Sequence, residues 1–151
     1  MNIPPNLAVM EVQAPLPTNE ELNSKILSVG DLVPINWQNY ISPPRNQQKC
    51  GDCFAVSTTS VLVDRYKIWS KGKININLDP AISAQCTNIE GFTDRGCGGG
   101  TTYGVGKFLE EQGVPIVDNT CLPYSEICGN NCSSLPSCQQ LLSKCTGKVY
   151  K

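Results

Sequence analysis

Nine cysteines in a chain of 151 residues constrain the fold more than any other feature of this sequence. A density this high indicates a disulfide framework formed in an oxidising compartment, because reducing compartments keep thiols unpaired. Nine is an odd number, so at least one thiol remains outside any set of intramolecular pairs. A spare thiol in an otherwise cross-linked chain is a candidate nucleophile.

The length favours a single domain with its own hydrophobic core. The chain has 12 basic and 13 acidic residues, and its basic residues form no block, so we expect no nucleic-acid partner. No apolar segment approaches membrane-spanning length, so we also expect no membrane partner. The opening MNIPPNLAVMEVQ lacks the basic and apolar regions of a secretory signal peptide, which leaves secreted, lysosomal and particle-associated locations open.

The chain divides into an arm and a domain. Residues 1–33 are rich in Pro and Asn and predict an irregular arm, whereas residues 34–151 predict a globular domain. Within the domain, residues 53–69 lack Gly and Pro and carry no charge before Asp64, which predicts a helix buried along most of its length. Asp52 precedes this helix and is a suitable N-cap.

Two more helices have recognisable starts or stops. In LDPAISAQC, Asp79 is a candidate cap and Pro80 suits the first helical position. The segment 102–112 carries an apolar stripe and stops at Gly113. We expect the cysteine-dense tail at 121–145 to be mostly loop.

The stretch CGDCF contains two cysteines in different local settings. Cys53 lies in the first turn of the predicted helix, where free backbone N–H groups and the helix dipole favour a thiolate, and Cys50 lies outside it. The spacing alone is compatible with a redox dithiol, half of a zinc site, or a nucleophile beside a structural cysteine. A zinc site in the tail is disfavoured because spacings of four, six and seven form no paired knuckles in the set Cys128, Cys132, Cys138 and Cys145.

Three motifs together resemble the papain family of cysteine proteases: Gln47 six positions before Cys53, CGDCF itself, and RGCGGG at 95–100. In CGDCF, Phe54 replaces the Trp or Tyr of the family. CLPYSEIC and the cysteines that follow it resemble the cathepsin B branch of that family. The resemblance covers about residues 34–145. It implies an α+β fold in which this chain forms the mostly helical left domain, with a buried central helix and a disulfide-rich edge, and without the right β-domain.

The resemblance also implies roles for individual residues. Cys53 would attack a peptide carbonyl to form a thioester. The side-chain amide of Gln47 and the backbone N–H of Cys53 would stabilise the oxyanion. An extended peptide or protein substrate would lie along Gly99, Gly100, Thr101 and Thr102, where the two threonines replace bulkier residues of the family. The reaction requires no metal and no cofactor.

Four disulfides are implied by the same resemblance: Cys50 with Cys97, Cys86 with Cys138, Cys121 with Cys145, and Cys128 with Cys132. These pairs use eight of the nine cysteines and leave Cys53 unpaired. Cys50 is then structural and Cys53 reactive.

The chain contains no histidine, although a cysteine protease of this type needs an imidazole and an Asn that orients it. Asp52 also stands where the family has a small hydroxyl residue, and its charge would oppose a thiolate. We therefore expect this truncated chain to be inactive alone, with a second chain as a possible source of the His and Asn. Two alternatives remain: a catalytically inactive pseudo-protease that binds peptides or serves a structural role, and thiol–disulfide exchange at CGDC.

Overall fold

A computed structural model of the chain describes residues 8–10, 36–89, 92–93, 96–112, 116–120, 122–129, 132–145 and 148–150. Most of the regular structure in these segments is helical. The helices are α1 (Cys53–Trp69), α2 (Pro80–Cys86), α3 (Thr102–Gln112), α4 (Tyr124–Cys128) and α5 (Cys138–Lys144), with a 3₁₀ turn at Gly96–Gly98.

Short strands accompany the helices. They are β1 (Ala8–Met10), β2 (Asn88–Ile89), β3 (Phe92–Thr93), β4 (Ile116–Val117) and β5 (Lys148–Tyr150). β5 is the central strand of a three-stranded sheet, parallel to β1 and antiparallel to β4. β2 and β3 form a separate antiparallel pair. Of the arm predicted at residues 1–33, the structure describes β1, which is a strand and not irregular; the rest of that prediction lies outside the described residues.

Helix α1 has the predicted bounds, but the prediction that it is buried along most of its length is wrong. Its fully buried positions are Phe54, Ala55, Thr59 and Val63, whereas Val61 is 55% exposed. The prediction took the absence of charge as a sign of burial. The first part of α1 instead contains Ser and Thr, whose hydroxyl groups donate hydrogen bonds to carbonyls of the same helix. Thr59, for example, donates to the carbonyl of Ala55 at 2.8 Å. A helix rich in Ser and Thr can therefore be uncharged and still have an exposed side.

Helix α2 begins as its sequence predicts. Asp79 has an extended backbone, its side chain accepts a hydrogen bond from the Ala81 N–H at 2.7 Å, and Pro80 occupies the first helical position. α2 packs against α1, and every residue of α2 except Gln85 is buried. The start of α2 is thus a buried corner of the domain.

The prediction that the tail is mostly loop is wrong, because it contains α4 and α5. Helix α5 begins with a capping box, in which Ser137 accepts from the Gln140 N–H at 3.3 Å and the Gln140 side chain accepts from the Ser137 N–H at 2.9 Å. The signal is present in the sequence as a Ser followed three positions later by a Gln. The density of cysteines obscured it.

The main core lies between the helices and includes disulfide sulfurs. Phe108 of α3 and Ile82 of α2 are almost fully buried there, as is Leu141 of α5. A smaller cluster of Val63, Ile76 and Leu78 lies farther along α1. None of the described helices is long and apolar enough to cross a bilayer.

Candidate active site

Cys53 is the first residue of α1, and its thiol is exposed and unpaired. Because no preceding turn exists to accept their hydrogen bonds, the first backbone N–H groups of a helix are available to other acceptors. Phe54 and Ala55 immediately after Cys53 are buried and attach this end of α1 to the core. The Cys53 thiol is therefore held at the surface at an end of α1 that packs into the core.

A disulfide joins the start of α1 to the glycine-rich segment. Cys50 and Cys97 are bonded, with Cα atoms 4.5 Å apart. Between the two cysteines of CGDC, Gly51 donates its N–H to the Cys97 carbonyl at 3.1 Å, and a Cβ at position 51 would lie 2.4 Å from that oxygen. Only glycine fits this approach without displacing the backbone. Cys50 is thus structural in this arrangement.

The glycines after the 3₁₀ turn provide open backbone. Gly99 has a φ of +105°, which favours glycine, and a Cβ built there would meet no atom within 4 Å. Gly100 is exposed. The Cys50–Cys97 bridge brings this open segment toward the residues that precede Cys53.

Gln47 is fixed by contacts of both its side chain and its backbone. Its side-chain Nε2 donates to the carbonyl of Cys50 at 2.7 Å. Its own carbonyl accepts from the Cys50 N–H at 3.3 Å and from the Tyr124 hydroxyl at 3.3 Å. The side-chain amide therefore faces the turn before Cys53, and it retains a second N–H that this bond does not use.

The two threonines at the start of α3 lie on the surface. Thr101 has a local structural role, because its Oγ1 accepts from the Gly104 N–H at 3.0 Å and its carbonyl accepts from the Val105 N–H. Thr102 is the first residue of the helix. Sequence reasoning overlooked the capping by Thr101, although Thr is a common N-cap residue.

The prediction that Asp52 caps α1 through its side chain is wrong. Asp52 occupies the N-cap position, but its carboxyl makes no capping hydrogen bond. The carboxyl instead turns into the protein, where Asp52 is 0% exposed and its Oδ2 accepts from the Tyr124 hydroxyl at 2.8 Å. Oδ1 has no hydrogen-bond partner among the described residues.

Burial controls the ionisation of this pair. Desolvation raises the pKa of the Asp52 carboxyl, and the hydrogen bond from Tyr124 opposes that rise. The pKa of Tyr124 is raised as well, first by burial and then by its hydrogen bond to Asp52. The sequence offered CLPYS only as a family marker, so Tyr124 was missed as a contact of the site.

A second buried carboxyl lies near the first. Burial raises the pKa of Asp79 to about 7, an effect that the hydrogen bond from Ala81 and the charge of Arg45 oppose and that of Asp52 reinforces. Arg45 donates to the carbonyl of Leu78 and to Oδ1 of Asn77. A pocket of about 340 Å³ opens beside this group, and Arg45, Asn77 and Tyr124 are among its lining residues.

The remaining cysteines that the structure describes form bridges and not a metal site. The structure contains Cys86–Cys138 and Cys128–Cys132, and Cys145 is also disulfide-bonded, while its predicted partner Cys121 lies outside the described residues. In the described part of the chain, the one group with metal-ligand proximity consists of sulfurs already in disulfides, those of Cys50, Cys97 and Cys132. The zinc hypothesis for the tail does not fit these bonds, because metal ligation requires thiolates.

Comparison with known proteins identifies the family. The model of the papain family cysteine protease matches residues 33–150. A probable cysteine proteinase of Invertebrate iridescent virus 3 is 36% identical over 101 residues, which is 67% of this chain and 18% of the relative. Cathepsin B of Dictyostelium discoideum is 30% identical over 116 residues, which is 76% of this chain and 32% of the relative.

A solved structure is similar in fold. The bromelain protease from Ananas comosus, determined in complex with the E64 inhibitor, superposes with a TM-score of 0.56 at 22% identity, over 78% of this chain and 49% of that one. The chain spans less than half the length of each of these three proteins. With the family match over residues 33–150 and cathepsin B among its relatives, the chain belongs to the papain family of cysteine proteases.

Proposed function

We propose that this chain carries the nucleophile half of a cysteine peptidase, with Cys53 as the nucleophile. The observation that supports this most directly is the unpaired, exposed thiol at the first position of α1, in a chain whose other described cysteines are disulfide-bonded. Cys53 would attack the carbonyl carbon of a peptide bond. The amine would leave with a proton, and water would hydrolyse the resulting thioester.

Gln47 would stabilise the negative charge that develops on the carbonyl oxygen. Its Nε2 donates one hydrogen bond to Cys50, and its second N–H is the donor that we assign to the oxyanion, together with the backbone N–H of Cys53. A single donor of this kind contributes about 2.7–4 kcal/mol of transition-state stabilisation. The bond to Cys50 holds the amide in place before the substrate arrives.

The substrate would be an extended peptide or protein segment. Gly99 and Gly100 would form hydrogen bonds to its backbone, because an absent side chain permits close approach. Thr101 and Thr102 would lie beside its side chains and influence which residues are accepted. The capping bond of Thr101 fixes the position of that side chain.

The chain alone would not complete the reaction, because its sequence contains no histidine. An imidazole must accept the thiol proton and later protonate the leaving amine, and an Asn orients it. We assign both to residues outside this sequence, in a further segment of polypeptide or in a second chain. The corresponding partner for an experiment is a polypeptide that carries a His and an Asn and is added in trans.

Peptide cleavage and covalent labelling test this assignment. The purified chain should not cleave a fluorogenic peptide, and a peptide-like thiol-reactive epoxide should modify Cys53 rapidly only when a histidine-bearing partner is supplied. Cys53→Ala should abolish modification under both conditions. If the isolated chain cleaves the peptide and Cys53→Ala does not, the dependence on an external histidine is disproved. Equal labelling with and without the partner would contradict the catalytic role of the partner's histidine.

A non-enzymatic function is the second candidate, and one observation favours it. The sequence contains no histidine, so this chain does not itself supply the imidazole on which the cysteine-peptidase reaction depends. Such a chain could bind peptides along its glycine segment without cleaving them. Two results together would support this candidate. Calorimetry would show that an extended peptide binds both the wild type and Cys53→Ala, and the epoxide would label Cys53 under no condition.

Thiol–disulfide exchange fits the structure poorly. It requires a reversible bond between Cys50 and Cys53, whereas Cys50 is bonded to Cys97. Peptide mapping under non-reducing conditions tests this function directly, since recovery of a Cys50–Cys53 peptide from the native protein would support it.

A further inference from the structure

The hydroxyl of Tyr124 contacts the candidate oxyanion donor and the residue that precedes the candidate nucleophile. It lies 2.8 Å from Oδ2 of Asp52, the residue before the nucleophile, and 3.3 Å from the backbone oxygen of Gln47, the candidate oxyanion donor. Tyr124 lies 77 positions from Gln47 and 72 positions from Asp52 in the chain, so both contacts are products of the fold. Tyr124 has no assigned role in the reaction proposed above.

The phenol faces two acceptors but has one proton. When Asp52 is ionised, that proton is donated to the carboxylate, because a charge-assisted hydrogen bond is the stronger of the two. The Gln47 carbonyl then keeps only its bond from the Cys50 N–H at 3.3 Å. When Asp52 is protonated, its own O–H can donate to the phenol oxygen, and the phenol O–H can then donate its hydrogen bond to the Gln47 carbonyl. The network therefore has two hydrogen-bonding states.

The environment of Asp52 makes the protonated state accessible. The carboxyl is 0% exposed, and Oδ1 has no partner among the described residues. The titratable groups that act on it are Tyr124 of α4 and Asp79 at the start of α2, and Asp79 is in turn near the cation of Arg45. Burial raises the pKa of both carboxyls.

We propose that Tyr124 is a positioning residue, and that through it the protonation of Asp52 sets the placement of the Gln47 amide relative to Cys53. The inference rests on the proposed function, because the roles of Gln47 and Cys53 come from it. The coupling itself is independent of catalysis: protonation at position 52 changes the hydrogen bonding at residue 47 through one phenolic oxygen. This coupling between Asp52 and Gln47 can be measured without turnover.

Nuclear magnetic resonance on the ¹⁵N- and ¹³C-labelled chain tests the coupling. The Gln47 Nε2 protons and the Cys53 backbone amide should shift with pH in one step, with the midpoint at which the Asp52 carboxyl carbon itself titrates. In Tyr124→Phe the Asp52 carbon should still titrate, while the step at Gln47 is lost. In Asp52→Asn the step should be lost at both reporters.

Tyr40→Phe is the matched control, because it removes a phenol hydroxyl from a ring that stacks edge-on against Trp37, away from this network. It should reproduce the wild-type profile. An unchanged Gln47 step in Tyr124→Phe overturns the proposal. If that variant does not fold, Asp52→Asn decides, since persistence of the step at the same midpoint would assign it to another group. Absence of Cys53 labelling even when a histidine-bearing partner is supplied would reject the proposed function and leave these spectra unaffected.

Discussion

The backbone N–H of Gly51 donates to the carbonyl oxygen of Cys97 at 3.1 Å, directly beside the disulfide that joins Cys50 to Cys97. One covalent bond and one hydrogen bond thus fasten the 3₁₀ turn to the residues before α1. The proposed nucleophile follows two positions later, and the proposed substrate-binding glycines follow the turn. The relative placement of these two parts depends on this contact.

Gly51→Ala should destabilise the protein and disturb the site. The new Cβ would lie 2.4 Å from the Cys97 carbonyl oxygen, and because that atom belongs to the backbone, the turn must move. We expect a loss of about 1–3 kcal/mol in the free energy of unfolding, the usual range for forcing extra atoms into a packed site. Urea denaturation measures it.

Gly106→Ala is the control for that substitution. Gly106 is an exposed residue inside α3, and a Cβ there would meet nothing within 4 Å. The same change should stabilise the protein by about 0.5–1 kcal/mol, because Ala is the better helix former. Equal effects of the two substitutions would contradict the steric role of Gly51.

Removal of two disulfides should have unequal effects on stability. Cys50–Cys97 spans 47 positions and Cys128–Cys132 spans 4. In the chain-entropy model these loops correspond to about 4 and about 2 kcal/mol. We therefore expect the double variant Cys50→Ala/Cys97→Ala to unfold at lower urea than Cys128→Ala/Cys132→Ala. The reverse order would show that packing around the short bridge outweighs loop entropy.

The stability of the protein should carry a pH-dependent contribution from Asp79. Its pKa is about 7 in the folded state, compared with an ordinary value of 3.8. Below the lower value the carboxyl is protonated in both states and costs nothing. Between the two values only the unfolded state is ionised, so the contribution of Asp79 to stability falls as pH rises and is fully lost above about 7.

Asp79→Asn should remove that fall and retain the cap, since Asn also accepts a hydrogen bond at this position. Relative to wild type, the variant should become more stable by a few kcal/mol between pH 4 and pH 8, as measured by urea unfolding at both values. Glu126→Gln, which neutralises an exposed acid of α4, is the control and should show no such gain. A parallel pH dependence in wild type and Asp79→Asn would refute the assignment.

Ser137→Ala should weaken the start of α5. The Ser137 hydroxyl accepts from the Gln140 N–H in the capping box, and loss of such a cap costs about 1 kcal/mol. Ser133→Ala, at an exposed position before the helix, should change the free energy of unfolding far less. Thermal unfolding of the two variants makes the comparison, and equal melting temperatures would mean that the capping box is unimportant for stability.

The sequence predicted features that depend on local chemistry. The bounds of α1, the Asp79 cap with Pro80, and the extent of α3 follow from propensity and capping, which act within a few residues. The family resemblance, carried by Gln47, CGDCF and the glycine-rich segment, is confirmed by the match over residues 33–150. Short motifs with fixed spacing are legible in one sequence because their geometry is local.

Features that depend on tertiary contacts were less accessible. Asp52 has the residue type and position of an N-cap, yet Tyr124, 72 positions away, takes its carboxyl into the interior. The exposed side of α1 was missed for a related reason, since periodicity does not show which uncharged residues face a neighbour. A cap residue and a buried acid look the same in sequence until the partner is in place.

The exposed thiol of Cys53 also permits site-specific attachment of a fluorescent label. A maleimide dye would attach at the first position of α1, where the next residue, Phe54, is only 4% exposed. The dye would sit at the boundary between solvent and core, so its emission should respond to any molecule that covers the glycine-rich segment. Ligand screening by fluorescence thus requires no engineered cysteine.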